Sequence, residues 1–473
     1  MTRLNARTVE QANAARPVAR PTGTGIVHFG PGAFHRAHQA DFIDRLIAQD
    51  PRWGVALVSL RSGRTVVDMA AQDGLYTLAV RDAQPSNRII GCHTHLLGPD
   101  DAAETLRLLS APETALVTTT ITEKGYCLAP DGTLDISHSD IARDLTGESA
   151  PASAIGWIVA GLAARRAAGL AAYVVMPCDN MANNGAKLRA ALLTFAAARD
   201  TDLADWLDAE LRVPATMVDS ITPASDPDFL AALADEIGLE DRAAVQREAF
   251  AQWVVEDIGP IGPDLAAAGV EITCDVAGFE RAKLRILNGA HSTLAYLGLL
   301  RGHASVAEAM RDAALADYVE AMIVEEIQPM LPPVPGLDLD AYRAAVLTRF
   351  RNPVIVHALA QIAYDGSQKL PYRLYDTILA NRAADRLPRR ALGAVAGWLA
   401  FVAMRTRAGE AIVDPLGETL AALGSRGDAE TMITAFVADP RLCPPRLAQD
   451  KEAIDSIGRA LAALHADPKN LPE

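Results

Sequence analysis

The stretch GIVHFGPGAFHRAH, residues 25–38, decides the fold of the first half of the chain. A short run of apolar and β-branched residues ends at Gly30, and from Ala33 onward apolar residues recur at helical spacing. This order predicts a strand, a tight turn that holds Gly30 and Gly32, and then a helix. The turn therefore connects the first strand of a sheet to a covering helix.

Further strands follow, separated by Ala-rich stretches with helical patterns. They are predicted for WGVALVSL (53–60), ALVTTTIT (115–122), LAAYVVMP (170–177) and VEIT (270–273). Strands that alternate with helices predict a mostly parallel sheet covered on both faces. From Phe279 onward only helical patterns are found. We therefore predict an α/β domain over residues 1–275 and a mostly α-helical domain over residues 276–473.

Composition narrows the classes of partner and location. The chain has 473 residues, and its formal net charge of −15 argues against nucleic acid or an anionic membrane surface as the main partner. We find no apolar run of about 18 residues that would span a membrane, and no signal-peptide pattern near the start. The five cysteines form no C-x-x-C pair, so neither a disulfide framework nor a zinc site is expected, and a reducing cytoplasm fits best.

The glycine turn is typical of a dinucleotide site. Gly30 and Gly32 let the backbone approach a pyrophosphate, and Ala33 and Phe34 begin the helix whose N–H groups would face it. The third glycine of G-x-G-x-x-G is absent, because His35 stands in its place. An ordinary strand-to-helix turn explains the pattern equally well.

The second predicted strand ends without the expected carboxylate. An acidic residue here would bind the adenine ribose, but the sequence reads VSLRSGR. Ser59 or Ser62 could bond a ribose hydroxyl. Arg61 could stack on adenine or meet a 2′-phosphate. The loop therefore leaves NAD and NADP both open.

The stretch KLRILNGAHS, residues 283–292, carries three polar residues in an apolar helical pattern. At about 100° per residue, Lys283, Asn288 and His291 share one helix face with leucines. A lysine on such a face suits general acid–base work on an alcohol. The alternative is a snorkelling lysine beside satisfied core polar groups.

Polar residues also follow two other predicted strands. Glu123 and Lys124 come after one strand, and Asp179 and Asn180 come after another. Ligands of open parallel sheets bind beyond the carboxyl ends of the strands, so these residues are candidates for binding. The alternative is that they shape turns or cap helices.

Seven motifs in fixed order resemble one family, the polyol-specific long-chain dehydrogenases, which includes mannitol 2-dehydrogenase, fructuronate reductase and tagaturonate reductase. The motifs are GPGAFHRAHQA (30–40), TITEKGYC (120–127), PCDNMANNG (177–185), MVDSITP (217–223), WVVEDIG (253–259), KLRILNGAHSTLAYLG (283–298) and DGSQKLPYR (365–373). One departure is Ser220, which stands where the family pattern suggests arginine. Asp219 keeps the carboxylate of that motif and is a candidate substrate-binding residue.

The resemblance implies a Rossmann-like N-terminal domain, a helical C-terminal domain and a metal-independent hydride transfer with NAD. Lys283 matches the family's catalytic lysine. Asn180 and Asn288 match the two asparagines that bond the substrate oxygen as it gains charge, and Asn180 also lies on the cofactor side. His291 matches the histidine of the same motif.

The segment RFRNPVIVHALAQIAYDGSQKLPYRL, residues 349–374, looks more like the fructuronate reductase branch. His357, Lys369 and Arg373 could form a cationic cluster suited to the carboxylate of a sugar acid. The alternative is that Lys369 caps a helix or faces solvent and that Arg373 pairs with Asp376.

We therefore expect NAD-linked interconversion of a ketouronate such as D-fructuronate and an aldonate such as D-mannonate. One alternative is oxidation of a neutral polyol, mannitol or arabinitol, to a ketose. A second is a sensor with the same fold that binds the dinucleotide or a sugar acid without turnover.

Overall fold

The computed structural model describes residues 1–260 and 262–472. The chain forms two compact units, Met1–Val276 and a second that begins at Ala277. The predicted fold class is confirmed, because the first unit is α/β with a parallel central sheet and the second is built from helices. The described strands are β1 (Thr24–Phe29), β2 (Gly54–Val58), β3 (Tyr76–Val80), β4 (Ser86–Ile90), β5 (His93–Leu97), β6 (Leu116–Thr119), β7 (Val174–Pro177), β8 (Thr216–Asp219), β9 (Val245–Arg247), β10 (Gln252–Glu256) and β11 (Glu271–Thr273).

The central sheet has the order β5-β2-β1-β6-β7, and every neighbouring pair is parallel. Its three inner strands are almost continuously buried, which explains why their sequences are apolar runs without alternation. The strand order reverses direction between β1 and β6. Ligands of open α/β sheets bind at this switch point, beyond the carboxyl ends of the strands.

Helices cover this sheet, and two smaller sheets accompany it. The smaller sheets have the orders β11-β10-β8 and β4-β3-β9. Of their strands, only β11 lies in a stretch for which the sequence predicted a strand. The described α-helices of this unit are α1 (Ala33–Ala37), α2 (Gln39–Ile47), α3 (Arg64–Ala70), α4 (Ala102–Ser110), α5 (Ser139–Thr146), α6 (Ala154–Ala167), α7 (Asn184–Arg199), α8 (Thr201–Glu210) and α9 (Pro227–Ile237).

The helix predicted after the glycine turn is interrupted. It ends at His38, whose φ of −122° and ψ of −86° leave the helical region, and a second helix starts at Gln39. His38 is buried, and its Nε2 lies 2.8 Å from the carbonyl oxygen of Gln252 in β10. This long-range hydrogen bond holds the break in place.

His35, which replaces the third glycine of the motif, is a core residue. Its ring stacks on His28 with the centroids 3.5 Å apart, and its Nε2 lies 3.2 Å from Nε2 of His93. All three histidines are buried. Burial lowers the pKa of His28 and of His93 to about 3 and holds the pKa of His35 well below its ordinary value. The cluster is therefore neutral and packs the first helix onto the sheet.

This cluster predicts acid lability. The unfolded chain protonates these histidines below pH 6.5, whereas the folded chain does not until about pH 3, so stability is lost as the pH falls through that window. At pH 4.5 His28 alone should cost roughly 2 to 3 kcal/mol relative to pH 7. Urea unfolding of His28→Gln and the parent should therefore show a difference in unfolding free energy that shrinks by this amount between pH 7 and 4.5. A difference that stays constant with pH would contradict the assignment.

The described secondary-structure elements of the second unit are all helices. Its α-helices are α10 (Val276–Ala282), α11 (Gly289–Leu300), α12 (Val306–Ala309), α13 (Ala313–Ala321), α14 (Leu339–Phe350), α15 (Leu359–Ile362), α16 (Gly366–Leu370), α17 (Asp376–Ala383), α18 (Arg389–Arg407), α19 (Gly417–Gly424), α20 (Ala429–Ala438), α21 (Pro445–Ala448) and α22 (Lys451–Ala466). Helix α11 is buried on nearly all sides and packs against α18, which explains its apolar sequence. Among the described residues, we find no helix with the length and apolar character needed to cross a bilayer.

Three π-helical turns interrupt these helices, at Lys283–Asn288, Met322–Ile327 and Pro371–Tyr375. The first joins α10 to α11 without a break in the helix, and it packs against the other two. Such turns are rare and occur frequently at functional sites. The place where they meet is therefore a natural candidate for chemistry.

Candidate active site

The glycine turn at the end of β1 fits a dinucleotide pyrophosphate. Gly30 has a φ of +111°, and a Cβ there would collide with the carbonyl of Thr120, so only glycine fits. Gly32 is different, because nothing described lies within 4 Å of the position that its Cβ would take. That open space beside the backbone leaves room for phosphate oxygens. Ala33 and Phe34 follow as the first, half-buried residues of α1.

The polar residues beyond β6 and β7 divide into exposed and structural ones. Glu123 and Lys124 are exposed in the 3₁₀ turn Glu123–Tyr126, directly after β6. Asn180 is exposed after β7, whereas its neighbour Asp179 is buried. Asp179 accepts hydrogen bonds from the Tyr126 hydroxyl and from the Met181 amide, the latter at 3.0 Å. Asp179 therefore braces the loop that presents Asn180.

Asp219 belongs to a different sheet from β1, the strand before the glycine turn, and Ser220 follows Asp219 directly. Asp219 is the buried last residue of β8 and pairs with Gln252 of β10. Ser220, which replaces the expected arginine, donates from Oγ to the carbonyl of Phe250 at 2.9 Å. Ser220 thus joins two backbone segments in this chain.

The end of β2 borders a cleft of about 710 Å³ in the first unit. Arg61 lies on its wall and donates from Nη2 to the Asp140 carboxylate at 3.0 Å. Asp140 could not be expected here from the sequence, because it lies 79 residues further along the chain, in the first turn of α5. The ligand atoms of Cys127, His138 and Asp140 lie within 4.8 Å of one another. Because the Arg61 guanidinium already neutralises this carboxylate, we assign no metal to the trio.

In the second unit, Lys283 opens the π-helical turn and Asn288 closes it. The even 100° spacing assumed for residues 283–291 is therefore wrong, because a π turn winds more loosely than an α-helix. Lys283 and Asn288 are both half-buried, and His291 is buried one turn further along. The three residues belong to one continuous helical segment with a widened turn at its centre.

His291 lies in an aromatic and cationic setting. Its ring stacks on Phe350 at a centroid distance of 4.4 Å and meets the edge of His357 at 4.8 Å. Burial, with added repulsion from His357, Arg373 and Arg349, holds the pKa of His291 well below its ordinary value. His291 is therefore neutral at physiological pH. Its Nε2 is buried without a hydrogen-bond partner among the described residues.

His357 completes the imidazole pair. Burial, with a smaller contribution from the positive charge of Arg349, lowers its pKa to about 4. Its Nδ1 is buried and has no hydrogen-bond partner within the described part of the chain. The sequence prediction included His357 but not Arg349 or Phe350, although both stand in the same quoted segment. Their places at the end of α14 could not be related to His291 without the fold.

Arg373 supplies positive charge beside His291. It donates from Nη1 to the Ser292 hydroxyl at 3.2 Å, and its buried Nε lacks a partner among the residues that the structure describes. Gly289 lies against its backbone, since a Cβ there would come within 2.9 Å of the Arg373 carbonyl oxygen. The alternative, an ion pair between Arg373 and Asp376, is not found among the described residues, and the negative charge of Asp376 acts on Arg285.

The side chain of Lys369 bonds to backbone carbonyls at the end of a helix, as in the helix-capping alternative. Its ammonium donates to the carbonyl of Tyr364 at 2.6 Å and, more weakly, to that of Ile362 at 3.5 Å. Burial and the charge of Arg373 lower its pKa. Because its hydrogen bonds go to the backbone, Lys369 holds the connection between α15 and α16, while its charge adds to the positive potential around Arg373.

Comparison with known proteins assigns both halves of the chain to one family. The model of the mannitol dehydrogenase Rossmann domain matches residues 24–266, and the model of the mannitol dehydrogenase C-terminal domain matches residues 275–465. These matches agree with an α/β first unit and a helical second unit.

Characterised relatives extend over most of the chain. D-mannonate oxidoreductase of Escherichia coli is 42% identical over 420 residues, which cover 85% of this chain and 86% of that protein. Mannitol 2-dehydrogenase of Phaeosphaeria nodorum is 35% identical and covers 97% of this chain and 84% of its own length. The structure of Pseudomonas fluorescens mannitol 2-dehydrogenase in complex with NAD and D-mannitol is 35% identical, covers 99% and 98% of the two chains, and superposes with a TM-score of 0.83. The chain therefore belongs to the mannitol dehydrogenase family of oxidoreductases.

Proposed function

We propose that this protein is an NAD(H)-linked oxidoreductase that interconverts a ketouronate and a sugar acid, D-fructuronate and D-mannonate. One observation carries this proposal: Nε2 of His291, Nδ1 of His357 and Nε of Arg373 are buried without hydrogen-bond partners among the described residues. Buried polar atoms are nearly always bonded in folded proteins, and these three belong to side chains grouped around His291, so together they suit a polar ligand. The similarity to D-mannonate oxidoreductase supports the same class of substrate.

Charge favours an anionic substrate over a neutral one. Burial keeps both histidines neutral, so the charge around them comes from Arg373 and Arg349. A carboxylate accepts charge-assisted hydrogen bonds from a guanidinium, and such bonds are about twice as strong as bonds between neutral groups. A sugar acid would supply that carboxylate, whereas a polyol would leave the guanidinium without a counter-charge.

The chemistry follows from the roles that the family resemblance gives to the helix and loop residues. During oxidation, Lys283 takes the proton from the substrate hydroxyl while hydride leaves the same carbon. The amides of Asn180 and Asn288 donate to the oxygen as it gains negative charge, as an oxyanion hole does. In the reverse direction Lys283 returns the proton to that oxygen. His291 acts as a neutral hydrogen-bonding group, because its imidazole does not carry charge at physiological pH.

NAD, when bound, supplies the nicotinamide that accepts or returns the hydride. The close turn at Gly30 and the open backbone at Gly32 fit its pyrophosphate, and a relative of known structure binds NAD with D-mannitol. The exposed Glu123 and Lys124 lie beyond the neighbouring strand β6, where the nicotinamide half would lie in this fold.

All five cysteines are free thiols, which supports a reducing, cytoplasmic location.

A neutral polyol is the second candidate substrate, favoured by the similarity to mannitol 2-dehydrogenases. It would place a hydroxyl group where the sugar acid has its carboxylate. A sensor without turnover is disfavoured, because the chain belongs to a family of oxidoreductases.

Substrate preference tests the proposal. With NADH and the purified full chain, we expect kcat/KM for D-fructuronate to exceed that for D-fructose by at least about 100-fold, because a polar site rejects an analogue that leaves its buried groups unpaired. Steady-state NADH oxidation measures both values. A kcat/KM for D-fructose that equals or exceeds that for D-fructuronate would overturn the sugar-acid assignment.

A further inference from the structure

The cleft at the end of β2 lies directly beside the glycine turn. Val58, the last residue of β2, pairs with Phe29 of β1, and its carbonyl accepts a hydrogen bond from the Gly30 amide at 3.1 Å. The next residues, Ser59 to Arg61, form one wall of the cleft. In a Rossmann-like sheet the adenosine half of a dinucleotide extends from the glycine turn to the end of the second strand. The cleft is therefore where the adenosine of the proposed cofactor would bind.

The loop that follows β2 has no carboxylate to bind the ribose hydroxyls. Ser59 is also committed, because its Oγ donates to the carbonyl of Ser62 at 2.6 Å. The loop offers Arg61 instead, whose side chain is 76% exposed. An arginine at this place accommodates a 2′-phosphate in NADP-binding proteins of this fold. Considered alone, the loop would favour NADP.

The opposite wall supplies the missing carboxylate. Among the described residues that line the cleft, Asp140 is the one acidic residue. It lies in the first turn of α5, with 27% of its side chain exposed, and its Oδ2 accepts from Arg61 Nη2 at 3.0 Å. A helix N-terminus favours a negative charge at this position. Asp140 thus brings a carboxylate to the place where the loop after β2 has none.

We infer that Asp140 makes this chain specific for NAD by binding the adenine ribose hydroxyls and by neutralising Arg61. A 2′-phosphate would meet the Asp140 carboxylate and would have to separate the Arg61–Asp140 ion pair. A 2′-hydroxyl, in contrast, donates to the carboxylate without disturbing the pair. The inference rests on the proposed NAD-linked function and adds a residue that decides between the two cofactors.

The test is equilibrium binding of NADH and NADPH to the purified full chain, followed by fluorescence and without any substrate. Asp140→Asn should weaken NADH binding about tenfold and tighten NADPH binding about tenfold, a change of about 100-fold in the ratio of the two Kd values. Asp140→Glu keeps the charge and should retain the preference for NADH. Glu148→Gln removes one negative charge from the exposed loop after α5 and should leave the ratio unchanged.

A double variant tests the contribution of Arg61 to NADPH binding. In the Arg61→Gln background, Asp140→Asn should no longer tighten NADPH binding, because the latent phosphate-binding group is gone. A ratio that moves less than about threefold in Asp140→Asn, or a gain for NADPH that persists without Arg61, would overturn the inference. If the parent protein binds neither dinucleotide, the proposed function itself is wrong. If NADH binds but the ratio does not respond to Asp140, only this inference fails.

Discussion

Lys283→Ala is expected to lower kcat by about a thousandfold or more, while NADH still binds with nearly the affinity of the parent. General acid–base catalysis by a positioned side chain contributes roughly 10² to 10⁴ in rate, and alanine has no group that can replace the amine. Lys283 opens a π-helical turn inside one continuous helix. Its side chain is only half-buried, so its removal should affect proton transfer more than folding.

Two companion variants make this result specific. Lys283→Arg keeps the positive charge but should be nearly as inactive, because a guanidinium does not release its proton in proteins. Arg285→Ala removes a cation two positions away in the same turn and should change kcat by less than about tenfold.

Steady-state and pH-dependent kinetics provide the measurement. In Lys283→Ala, the ionisation that the proton-transfer group contributes to the pH dependence of kcat should disappear. A variant that retains kcat within tenfold of the parent would exclude Lys283 as the group that moves the proton.

Arg373→Gln is the second change with a large expected effect. It should lower kcat/KM for D-mannonate by about 100- to 1,000-fold, because loss of one partner of a buried charged pair costs roughly 2 to 5 kcal/mol. The guanidinium is held by a single described hydrogen bond to Ser292, and its Nε is unpartnered. The Nε–H group of Arg373 therefore remains able to donate a hydrogen bond to a substrate carboxylate.

The loss of activity in Arg373→Gln should depend on the substrate. Activity with D-mannitol should change by less than about fivefold, because a neutral polyol makes no ion pair with Arg373.

Gly289→Ala should act in the same direction as Arg373→Gln, since its methyl group would displace the Arg373 backbone. Lys369→Gln is the matched control: its ammonium bonds to backbone carbonyls, so the ratio of activities on the two substrates should stay within about threefold. Equal losses on both substrates in Arg373→Gln would contradict a carboxylate-binding role.

Much of the first unit was predictable because its signals are local. The turn is predicted by Gly30, which stands at a position where only glycine fits, and the inner strands are recognisable as apolar runs. The break at His38 was not predictable, because a hydrogen bond to a strand more than 200 residues away fixes it. The same limit applies to Asp140, which reaches Arg61 across 79 residues.

In the second unit, the helix predicted at residues 283–292 is present, but the sequence-based prediction assumed the wrong winding. Side-chain periodicity assumes a regular α-helix, and nothing in KLRILN signals the π turn that Lys283 and Asn288 delimit. The polar cluster was only partly predictable. Lys369 and Arg373 are four residues apart and equally basic, yet one bonds to the backbone of its own connection and the other approaches His291. Only the fold separates these roles.

The most direct test of the account compares oxidation of D-mannonate and D-mannitol by the purified full chain with NAD. If the unpartnered nitrogens of His291, His357 and Arg373 hold a carboxylate, kcat/KM for D-mannonate should exceed that for D-mannitol by at least about 100-fold. A kcat/KM for D-mannitol that equals or exceeds the value for D-mannonate would contradict the account.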